Sequence, residues 1–166
     1  MGVCAAACAL MFAGSAAAQT VVESSNEVRF QFDFKVPVAA LAAYLPQGFT
    51  SDVATQGPAK DCNLRVVFID RVTINKPDST PMGKGTSQYV YLVAPVKSPS
   101  GESVQLVIGG ITADAADAPG PFGNYLPSTT HSVKRSTASP ANGTGPMIET
   151  QDWSLAAASG EHFTLH

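Results

Sequence analysis

Residues 27–34 read EVRFQFDF, and their alternation decides the fold class. Val28, Phe30, Phe32 and Phe34 fall on one side of an extended chain, with Glu27, Arg29, Gln31 and Asp33 on the other. A period of two over eight residues is that of a half-buried β-strand, because successive strand side chains point to opposite faces. Downstream, Pro37 opens an Ala/Leu-rich stretch from Val38 to Leu45 that Pro46 and Gly48 close. This predicts one short helix with proline at a tolerated first-turn position. Residues 63–74 (NLRVVFIDRVTI) and 87–97 (SQYVYLVAPVK) are β-branched and aromatic, and the loop between them holds Pro77, Pro81, Gly83 and Gly85. Both read as strands.

Ser98-Pro99-Ser100-Gly101 separates the second of these from residues 102–112 (ESVQLVIGGIT), the spacing of an antiparallel hairpin. Gly109-Gly110 inside the returning strand marks a bulge or a close approach to the backbone. Asp114 to Asn124 is a loop by composition, Thr130 to Thr137 a strand carrying His131, Lys134 and Arg135, and Ala138 to Pro146 a loop again. Met147 to Ala158 and Glu161 to His166 flank Ser159-Gly160 as a last hairpin. The closing HFTLH still alternates, which predicts further strands beyond His166. A strand-rich chain with one short helix is mainly β: an antiparallel, closed or partly closed, barrel-like (lipocalin-like) sheet, or a sandwich.

Upstream of the strands, Met1 to Ala18 has no charge and 15 apolar residues out of 18, ending in Gly14, Ser15 and Ala16-Ala17-Ala18. An apolar run, a helix-breaking glycine and an A-x-A site are the parts of a secretory signal. Cleavage after Ala18 is expected, leaving residues 19–166 as a single β-rich domain in the periplasm or outside the cell. The first positive charge is Arg29, so the basic n-region is expected upstream of Met1. A membrane span needs about 20 apolar residues, and no stable membrane insertion of the mature chain is expected. Cys4 and Cys8 leave with the signal. Cys62, with Asp61 before it and no Cys/His signature around it, is then the only cysteine, so no internal disulfide forms.

The formal net charge is −3 and no basic cluster occurs, which argues against electrostatic nucleic-acid binding. Metal binding is not expected: the imidazoles are His131, His162 and His166, and the sequence identifies no third ligand beside the last two. There is no G-x-S-x-G, and Gly83-Lys84-Gly85 lacks phosphate-loop spacing, so no nucleotide or other cofactor is expected. The sequon Asn142-Gly143-Thr144 matters only in a eukaryotic secretory pathway. Lys134-Arg135 is the one basic doublet. A lysine beside a second cation has its protonated form destabilised, which frees the amine for a Schiff base with a carbonyl substrate.

The order of segments carries a resemblance. Residues 36–49 (VPVAALAAYLPQGF) resemble the short helix and Leu-Pro-x-Gly element of the acetoacetate decarboxylase-like superfamily. Residues 63–70 (NLRVVFID), 89–97 (YVYLVAPVK) with a Ser-Gly turn, and 121–125 (PFGNY) leading to Lys134-Arg135 follow in the family's order. The resemblance covers roughly Arg29 to Gly160, and family members are longer than this chain. It implies a closed, lipocalin-like β-structure whose interior holds a small keto or carboxylic acid. It also implies Lys134 as the Schiff-base nucleophile of a lyase and Arg135 as an anion-binding neighbour. Two departures argue against turnover: the family's Gly-x-Pro-Lys-Lys is here His131-Ser132-Val133-Lys134-Arg135, and its acid in a Tyr-x-Glu context is Tyr91.

Two expectations follow for a small-molecule partner. One is an exported, decarboxylase-like binder of a small keto or carboxylic acid. The other is a non-catalytic carrier of lipocalin type, its apolar interior lined by Phe30, Phe32, Phe34, Tyr89 and Tyr91. The same aromatics equally suit an ordinary packed core. Trp153, with Glu149 and Gln151 as same-parity neighbours, is expected at the rim as a ligand contact. Nothing in the pattern sets an oligomeric state.

Overall fold

The computed structural model describes residues 21–114, 125–141 and 143–166. The expected signal segment, most of the Asp114–Asn124 loop and Asn142 of the sequon lie outside them. Eight strands and one helix follow in the order β1 (Ser24–Phe34), α1 (Val38–Ala42), β2 (Thr50–Ser51), β3 (Leu64–Asn75), β4 (Ser87–Lys97), β5 (Ser103–Thr112), β6 (Tyr125–Ala138), β7 (Ile148–Ala157) and β8 (His162–Leu165). The alternation at residues 27–34 lies inside β1, and Pro37 stands immediately before α1. The expected hairpin turn is tight: Gly101 adopts φ +86° and donates its N–H to Ser98 O at 2.8 Å.

The strands form one sheet in the order β1-β3-β4-β5-β6-β7-β8, with β2 paired to the end of β4. Two parts of the expected architecture are corrected here. Of the closed and partly closed alternatives, the sheet is not the closed one, because among the described residues no ladder joins β1 to β8. Nor is it wholly antiparallel: β5 and β6 run parallel over Gly110↔Tyr125 to Thr112↔Pro127, because a crossover rather than a hairpin connects them. That crossover includes residues 115–124, whose Pro/Gly-rich composition signals a loop without giving its direction.

The sheet curls until its two ends face each other. Phe68 on β3 meets Trp153 on β7 at 5.7 Å between ring centroids and Phe163 on β8 at 6.4 Å, both edge to face. Phe30 on β1 reaches Trp153 at 6.5 Å. Val90, Ile111, Leu155 and Ala157 complete this central core. Bulges after Asn26, at Leu92/Val93 and after Ser128 help the curl, since an extra residue bends and twists a strand locally.

Registers assign side chains to faces, since directly paired residues share one. Phe30↔Phe68↔Val90↔Ile111 is one inward-facing row, whereas Gln31↔Val67↔Tyr91↔Gly110 faces outward. Tyr89 and Tyr91 therefore do not share an interior with Phe30. They sit on the outer face with Val67, Ile69 and Tyr125. Phe32 and Phe34 are on the inner side of an open edge and stay 36% and 46% exposed. The grouping of these five aromatics as one lining fails because β4 presents its tyrosines on the odd positions while the interior takes Gln88, Val90, Leu92 and Ala94.

Candidate functional site

Read along the inner face, the molecule is graded from polar to apolar. On β3 the inward residues are Asp70, Phe68, Val66 and Leu64; on β4, Gln88, Val90, Leu92 and Ala94. At the polar end a hydrogen-bonded seam joins the two halves of the sheet. Arg135 Nη2 donates to Asp70 Oδ2 at 3.0 Å, and its Nε lies 3.2 Å from Glu149 Oε1. Gln88 Nε2 donates to Asp70 Oδ1 at 2.9 Å. Gln151 donates to Glu149 and accepts from Trp153 Nε1 at 3.0 Å. Asp70 and Gln151 are buried, and the bonds supply what burial would otherwise cost them.

At the apolar end lies a cavity of about 510 Å³, within the range of small-molecule sites. Leu64, Leu92, Ile108, Gly109, Gly110 and Ile111 line it from β3, β4 and β5, Leu126 and Phe163 from β6 and β8, and Val36, Ala40, Leu41 and Tyr44 from α1 and its flanks. Glu161 contributes the only charge among these lining residues. Two local features create the space. The bulge leaves Ile108 unpaired between Gly109, opposite Leu92, and Val107, opposite Val93. Ile108 and Leu106 both pack against the cluster of Leu41, Ala94 and Val96. A Cβ placed on Gly109 would meet no atom within 4 Å, so its missing side chain leaves open volume. Gly110 is the opposite case: a Cβ there would stand 2.4 Å from Val90 O and 2.9 Å from the Tyr125 ring. The bulge and the close approach are thus both present, at Ile108 and Gly110, on either side of Gly109.

The position of α1 over the cavity depends on buried Asn63. Its Oδ1 accepts from Val36 N at 2.8 Å and its Nδ2 donates to Val36 O at 3.0 Å, pinning the segment that enters the helix. Leu41 is the buried residue of α1 and packs on Ala94 and Val96. Against this cover Tyr44 is 69% exposed.

The sequence candidates fall in different places. Lys134 is exposed and pairs across the ladder with Asp152, on the face opposite to Arg135. The two cations do not converge on one site, because neighbours on a strand point apart. Arg135 is held by two carboxylates instead of standing open to an anion. Trp153 is 2% exposed at the centre of the core, not at a rim. Its parity with Glu149 and Gln151 is right, but that row faces the opposite half of the sheet. Phe30 packs on Trp153 and does not line the cavity. On the outer face Tyr89 stacks on Tyr91 and meets Tyr125 edge-on, each at 6.0 Å. Burial, with a lesser contribution from Glu27, pushes the Tyr89 hydroxyl well above the usual phenol range. Burial, then Tyr91, raises Tyr125 to about 12. Both are inert phenols at neutral pH.

His131 and His162 are exposed on separate strands, and His166 pairs with Asp152. Among the described residues no three His, Cys, Asp or Glu side chains gather as a metal site, and no helix is long and apolar enough to cross a membrane. Free Cys62 borders a minor cavity of about 90 Å³ near Arg65. Sequence reading missed the cavity wall itself. Gly109 carried a signal as half of a Gly-Gly pair, whereas Asn63 and Glu161 carried none.

No protein-family model, curated protein or solved structure matches this chain. Nothing identifies it as a member of the acetoacetate decarboxylase-like superfamily, and that resemblance stands on segment order alone.

Proposed function

We propose that this protein is an exported, non-catalytic binder of a small apolar ligand held in the cavity under α1. The observation that carries the reading is a space of about 510 Å³ whose described walls are mostly aliphatic and aromatic, with exposed Tyr44 and Glu161 among them. Transfer of apolar surface into such a site supplies about 25 cal/mol per Å² removed from water. Export rests on the Met1–Ala18 pattern. The small-acid reading is less well supported: it requires a cation in the interior, and the described lining residues include none while Lys134 is exposed.

The test is titration with N-phenyl-1-naphthylamine, a neutral fluorophore that brightens in apolar surroundings. Saturable enhancement with one site is expected in the wild-type chain. Gly109→Leu, whose Cβ would enter open space, should weaken it at least about tenfold, since a leucine side chain occupies volume the ligand needs. Enhancement that never saturates, or binding undiminished in a folded Gly109→Leu variant, would reject the proposal.

A further inference from the structure

We infer that the ligand is an amphiphilic cation: an alkylammonium whose chain lies in the cavity among Leu92, Ile111 and Phe163 and whose head meets Glu161 and Tyr44 at the opening. The inference rests on the cavity being a ligand site and adds the chemistry of the ligand's head. Among the described lining residues Glu161 is the one that carries a charge, and neither Lys35 nor His162, each next to a lining residue in sequence, is among them. Its carboxylate accepts a hydrogen bond from the Ser159 side chain, which lowers its pKa and keeps it ionised. Tyr44 lines the same cavity and is 69% exposed.

A carboxylate together with an aromatic face is the pairing that recognises ammonium groups, through charge and through the ring quadrupole. The same carboxylate disfavours anions, because a fatty acid or a small carboxylate seated here would place its charge near Glu161 with no cation among the described lining residues to compensate. A quaternary ammonium, which sheds its hydration more easily than a primary amine, suits a partly exposed mouth. The apolar chain then takes the volume that Gly109 leaves open.

Competition against bound N-phenyl-1-naphthylamine tests this with three compounds of equal chain length, each below its micelle concentration at low ionic strength. Dodecyltrimethylammonium should displace the fluorophore at about fivefold lower concentration than dodecanol, the gain of one exposed ion pair, and dodecanoate should need more than either. Glu161→Gln should bring the cation and dodecanol together, and Tyr44→Ala should reduce the cation's advantage. Both side chains are exposed, and near-ultraviolet circular dichroism confirms that the variants are folded. Dodecanoate competing as well as the cation, or an unchanged ratio in Glu161→Gln, overturns the head-group assignment while leaving the cavity reading intact. Failure of dodecanol itself to displace the fluorophore overturns both.

Discussion

At Lys134 and Arg135 the pleat of a strand separates two cations that are adjacent in sequence. Arg135 bridges the two ends of the curled sheet through Asp70 and Glu149, while Lys134 stands in solvent across from Asp152. Removing Arg135 leaves the buried Asp70 carboxylate with only Gln88 as a neutral donor. Arg135 is itself partly exposed, so Arg135→Ala should cost about 2 kcal/mol in chemical denaturation, the expected penalty for leaving buried Asp70 one donor short. Lys134→Ala should change stability by less than about 0.5 kcal/mol, as exposed substitutions do. Equal effects at the two positions would contradict the face assignment. The doublet itself was legible in the sequence. Which member turns inward was not, because that depends on the register of β6 against β7.

At the scale of elements, the β4–β5–β6 junction shows why adjacent glycines differ. Gly110 sits where the Tyr125 ring of the parallel neighbour crosses the strand, and the Val90 carbonyl stands below the space of a Cβ. Gly109 is one residue nearer the bulge and faces the cavity. Gly110→Ala should destabilise by about 2 kcal/mol or more, because neither a backbone carbonyl nor a wedged ring can retreat cheaply. Gly109→Ala should lie within about 1 kcal/mol of wild type, since it restricts the unfolded chain at a site with room. Urea titrations of the two variants give the comparison. The β4–β5 hairpin and α1 were readable from turn residues and proline placement. The parallel partner of β5 was not, because a loop's composition records flexibility and not the strand to which it leads.

For the whole molecule, the outer tyrosine cluster sets an alkaline limit. A phenol whose folded pKa is raised prefers to stay protonated in the native state, so its contribution is fully present below the unfolded value near 10. It is lost as pH rises through the folded one. Stability should fall progressively from about pH 10 toward pH 12 as the unfolded chain alone releases protons from Tyr89 and Tyr125. Trp153 is the single tryptophan and is buried against Phe68, so its emission should be blue-shifted and shielded from acrylamide until the global transition. Emission that is accessible to quencher at neutral pH would return Trp153 to a rim.

Local information sufficed for the strands because alternation, β-branching and turn residues are properties of short stretches: residues 27–34, 63–74, 87–97 and 102–112 declare themselves in isolation. It also sufficed to show a sparsely charged, mainly β chain with no interior disulfide expected. What each face packs against is a property of pairs far apart in sequence. Phe68 meeting Trp153, Asp70 meeting Arg135, and Asn63 holding Val36 under α1 arise only when the sheet curls. A strand's pattern states that one side is buried, but not whether its partner is a packed ring or an empty cavity. That choice rests with the bulge at Ile108 and the missing side chain at Gly109, whose effect exists only once β8 and α1 have closed over them.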